Sequence, residues 1–132
     1  MLYSSRETPG LIPDLLVFRE QTIKERPEDV QKIVDAWFDA LAYFEANPEE
    51  SIELMAKKAE TSVEDFKLGL DSIKIFSLTD NLNAFEEKES YDSLKYTGDK
   101  TAVFLKDLEM ITSIPDISKA LEPKFVKKAA ER

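Results

Sequence analysis

Ser4, Ser5 and Thr8 place three hydroxyls just ahead of a Pro9-Gly10 break. Hydroxyls and free backbone N–H groups at such a strand-to-loop junction suit a small oxyanion or another polar ligand. Other chemistry is harder to build. With no histidine, a Ser-His-Asp triad and the usual near-neutral general base are both excluded. With no cysteine, thiol catalysis, zinc-thiolate sites and disulfides are excluded together. Glu49 with Glu50, and Glu86 with Glu87, offer oxygen ligands to a divalent cation. Both pairs belong to helix starts or solvated faces, so no metal is assigned to them. Asp71, Asp80 and Asp92 are too scattered for an EF-hand loop, and the three glycines are not clustered as a phosphate loop requires. No catalytic constellation and no cofactor are expected, and the chain is read as a non-enzyme.

The elements that would position the hydroxyls come next. Residues 14–19 (DLLVFR) are the best strand, and Pro13 suits its start, where a missing N–H costs little. Residues 19–25 read as a short helical turn, and Pro27 as the first residue of a long helix. There Val30, Ile33, Val34, Trp37, Leu41 and Phe44 recur at helical spacing and form one apolar stripe. Trp37, in the middle of it, is expected as a core anchor rather than a ligand-stacking wall. The helix should end at Asn47-Pro48, because a residue before proline is biased out of helical geometry. Pro48 opens another helix, with Glu49 and Glu50 in its first turn and Ile52, Met55, Ala56 and Ala59 facing inward. A third starts at Thr61-Ser62, with Glu64 and Asp65 placed to reach back as a capping box, and its core contacts are Val63, Phe66 and Leu70.

Residues 72–78 alternate, as a short strand or an extended segment would. Thr79 is the expected cap of a brief helix reaching Phe85. Residues 86–90 read as a charged loop and 91–110 as a helix, bent or split at Gly98. Pro115-Asp116 opens a last short helix, and Pro123-Lys124-Phe125-Val126 a docking tail with a frayed charged end.

The chain has 132 residues, enough for one domain, and is 42% apolar and 34% charged. A net charge of −9, with 27 acidic against 18 basic residues, opposes binding to nucleic acid or anionic lipid. No apolar run is long enough to span a bilayer. No signal peptide is visible, so an exported protein would carry its leader upstream.

Several segments together carry a resemblance. SSRETPGLIPDLLVFRE (residues 4–20) is followed by a Glu25-Arg26-Pro27-Glu28 helix start, AWFDAL (residues 36–41) and Asn47-Pro48-Glu49-Glu50. Phe104-Leu105, Ile114-Pro115-Asp116 and Leu121 through Val126 follow in order. This arrangement resembles the C-terminal part of type II periplasmic substrate-binding proteins, in the group serving ABC importers of nitrate, sulfonates, taurine and pyrimidine precursors. It runs through nearly the whole chain but covers less than half of the family's usual length.

The resemblance implies two α/β lobes joined by crossing strands, with a solute held between them and lobe closure read by an ABC permease. The chain is then mainly α with one or two short strands: residues 1–20 form a hinge-like turn and crossing strand, and 21–132 a helical segment packing on lobe one. Ser4, Ser5 and Thr8 fall at the ligand cleft and Asp14 at the hinge. The location implied is periplasmic, or extracellular and lipid-anchored. The first lobe's sheet and most of the second lobe are missing, so exposed apolar helix faces are expected, favouring a homo-oligomer or intermolecular strand pairing.

The alternative is a stand-alone helical interaction or dimerisation domain. An enzyme of thiamine-precursor synthesis, which shares the binding-protein fold, needs histidine and cysteine that are absent here.

Overall fold

A computed structural model describes residues 7, 8 and 10–132. The described residues form seven α-helices and one 3-10 turn, with no strand among them. The helical part of the sequence reading therefore holds.

The first break is made by proline. Helix α1 (Glu20–Glu25) stops at Arg26, and α2 (Pro27–Ala46) stops at Asn47 before α3 (Pro48–Lys58). Arg26 and Asn47 have almost the same backbone, φ −133° with ψ 49° and φ −134° with ψ 60°. Each precedes a proline, whose ring excludes the helical region for its neighbour and whose missing N–H suits a first helical position.

Helix α3 ends differently. Glu60 adopts φ 55°, and the N–H groups of Thr61 and Glu60 donate to the carbonyls of Ala56 and Lys57 at 3.1 and 3.3 Å. This is the paired 6→1 and 5→2 bonding of a Schellman stop. The next helix, α4 (Val63–Leu70), starts at the Ser62 cap, with Ser62 Oγ accepting from Asp65 N at 3.0 Å; the expected box is only half made, since the Asp65 carboxylate takes the Ser62 hydroxyl at 2.6 Å instead of its backbone N–H.

Helix α5 (Leu78–Ala84) starts earlier than Thr79 would allow. Its cap is Ser77, whose Oγ accepts from Asp80 N, while Asp80 Oδ2 accepts from Ser77 N at 3.1 Å. Thr79 lies inside the helix and is exposed. The box decides the start because it satisfies two otherwise orphaned donors, and only Ser77 has an acid three residues on.

Helix α6 (Leu94–Asp107) is shorter than residues 91–110 and runs unbroken through Gly98. Glycine serves packing there: a Cβ would stand 2.7 Å from Ile117 Cγ2, on the 3-10 turn (Ile117–Ala120) that docks on α6. Glu109 then repeats the Schellman stop at φ 57°, with Met110 N donating to Leu105 O at 2.9 Å.

Helix α7 (Lys124–Ala129) closes the chain by packing on α2 and α5. It buries Phe125, Val126 and Ala129. Val30, Ala56, Ala84 and Ala102 are the other buried apolar side chains among the described residues, so Phe125 is the only large one. Small side chains let helices approach closely but remove little apolar area from water. At the charged end Arg132 bridges to Asp39 at 2.9 Å and to Asp35 at 3.5 Å.

Four expectations are corrected. Residues 14–19 form no strand, and no backbone–backbone bond joins residues 12–18 to any described residue. Residues 74–77 form neither helix nor ladder, which leaves the extended-segment alternative for 72–78 standing and removes the strand. A ladder is a non-local property, and no described segment pairs with either run. Trp37 is no core anchor: it is 55% exposed, and Ile33, one turn before it, is 48% exposed. The side-chain contacts of the C-terminal segment with α2 run through Gln31, Asp35 and Asp39, on another side of the helix from Trp37. Ala59 and Val63 are also exposed rather than inward-facing.

Candidate functional site

Of the candidate ligand residues, Ser4 and Ser5 lie outside the described residues. Thr8 is described, and it starts a tight turn in which Leu11 N donates to Thr8 O at 3.1 Å. Gly10, third in that turn, has φ +90°. This is the conformation that a type II turn needs at its third residue and that glycine adopts without strain. Space adds a second demand: a Cβ on Gly10 would meet the Tyr91 carbonyl oxygen at 2.4 Å. The turn therefore sits directly on the backbone of Tyr91 and Asp92. Thr97 fixes that backbone from below, donating from Oγ1 to Tyr91 O at 2.9 Å. Ser93 adds a bond from Oγ to Glu86 O at 2.8 Å.

The junction opens into a pocket of about 370 Å³ lined by Glu7, Thr8, Lys74, Phe76, Asp80, Asn83, Ser90, Tyr91 and Asp92. Sequence reasoning singled out Thr8 and missed the partners from residues 74–92. Their signal was faint, since they come from an extended segment, a helix and a turn that only folding brings together. Asp14, the expected hinge residue, is exposed on the extended segment and does not line this pocket.

The charges of the pocket are largely committed to one another. Lys74 Nζ lies 2.8 Å from Asp80 Oδ1 and 4.9 Å from the centre of the Phe76 ring. That contact, followed by the Ser77 hydroxyl at 2.8 Å, holds the Asp80 carboxyl down to about 2. The neighbouring Ser90 hydroxyl and then the Lys88 ammonium hold Asp92 below the usual carboxylate range, with Lys88 Nζ 2.9 Å from Oδ2. Three carboxylates thus face the pocket against one ammonium, an arrangement that repels an anion. The described lining can take a neutral hydrogen-bonding group or a cation; it does not make an oxyanion site by itself.

A second opening, of about 440 Å³, is apolar. Phe44, Ile52, Leu70, Ile73 and Ile75 form its walls, with Lys67 and Asp71 at the rim. It lies where α2, α3 and α4 meet the extended run after α4. Glu49 and Glu50 do not converge with other acids; the Tyr43 hydroxyl is turned toward Glu50, which raises its pKa. Among the described residues no three carboxylates gather as a metal site would require. No described helix is long and apolar enough to cross a membrane.

Against protein-family models, curated proteins and solved structures, the chain finds no match.

Proposed function

We propose that this chain is the C-terminal segment of a solute-binding protein serving an ABC importer for a small anion or organic solute. The solute class is nitrate, sulfonate, taurine or a pyrimidine precursor. The work is capture by lobe closure, without catalysis, in the periplasm or at the outer face of a cell.

One observation carries the reading. Residues 13–19 belong to no helix, Leu15, Leu16 and Val17 are 59%, 60% and 76% exposed, and their backbone groups find no described ladder partner. Leu15 and Val17 point to one side of an extended run and Leu16 to the other. Apolar residues on both sides mark a strand meant to be covered on both faces. The resemblance supplies a place for such a strand, as a crossing strand between two lobes. On this reading Ser4, Ser5 and Thr8 stand at the cleft and Asp14 at the hinge. The acidic pocket beside Thr8 leaves most anion contacts to the remainder of the protein.

A second reading is favoured by a different observation. The uncovered Ile33 and Trp37 on α2 suit a stand-alone helical domain that docks a partner or a second copy.

The deciding experiment follows the reading frame upstream of the Met1 codon and purifies the full product. A frame extending back by at least another domain, whose product binds nitrate, taurine or an alkanesulfonate calorimetrically and contracts on binding, supports the first reading. A stop codon and ribosome-binding site just before Met1 overturn it in favour of the second.

A further inference from the structure

We draw no further inference here: the strongest candidate, the apolar surface patch left uncovered by Ile33 and Trp37 on α2, carries nothing beyond the readings above because nothing in the structure shows what covers it.

Discussion

Gln31 and Phe125 are 94 residues apart in sequence, and the Gln31 side-chain amide donates to the Phe125 carbonyl over 3.0 Å in a buried setting. The same nitrogen reaches Asp35 Oδ1 at 2.9 Å, and Asp35 in turn meets Arg132. This line of contacts fastens α7 to α2. Gln31→Leu should lower stability by about 1–3 kcal/mol, because the Phe125 carbonyl and Asp35 lose a donor that water does not easily replace. Arg132→Ala, at the exposed end of the same line, should leave the melting temperature nearly unchanged. Urea unfolding of both variants checks the contrast, and equal effects would count against it.

The two Schellman stops use glutamate where glycine is cheaper. Glu60 and Glu109 hold φ 55° and 57°. Glu60→Gly and Glu109→Gly should each stabilise the chain by about 1 kcal/mol, less the entropy that glycine adds to the unfolded state. Thermal denaturation reads the gain.

The glycines inside helices should respond in opposite ways. A Cβ at Gly69 meets nothing within 4 Å, so Gly69→Ala should stabilise α4 by about 0.5–1 kcal/mol. The same change at Gly98 drives into Ile117 and should destabilise despite the better helix propensity. Pairing Gly98→Ala with Ile117→Ala should restore the loss in part, since the obstacle is that side chain.

Asp80 gives a pH dependence with a definite sign. Its carboxyl is lowered from 3.8 to about 2, so the unfolded state takes up its proton first as pH falls. The stabilisation is therefore complete above about pH 4 and is lost as pH drops towards 2. Asp80→Asn should flatten the stability profile in that window and weaken the capping box at neutral pH. Circular dichroism melts between pH 2 and 5 test this; an unaltered profile would refute the assignment.

The uncovered surfaces have their own signatures. Trp37 is the only tryptophan, so the intrinsic fluorescence of this chain should be that of a solvated indole, open to collisional quenchers. Val17→Asp should change the stability of this chain by less than about 0.5 kcal/mol, because the side chain is already in water. In a longer protein that covers residues 13–19, the same substitution should prevent folding. A blue-shifted, quencher-resistant Trp37 at micromolar concentration would show that a second copy already covers the α2 face.

Local chemistry was readable from the amino-acid sequence. Pro27 and Pro48 set two helix starts through the ring geometry of the residue itself. Ser62 capped α4 because its hydroxyl oxygen takes the Asp65 N–H that the first turn leaves orphaned. The tertiary structure decided what could not be local. A strand exists only when another strand lies beside it, and residues 14–19 have none among the described residues. Trp37 belongs to an apolar stripe, but its burial depends on which neighbour arrives, and α7 took the other side of α2. Gly98 looked like a helix breaker until Ile117 supplied the reason for it. The partners of Thr8 came from residues 74–92, at a distance in sequence over which no periodicity acts.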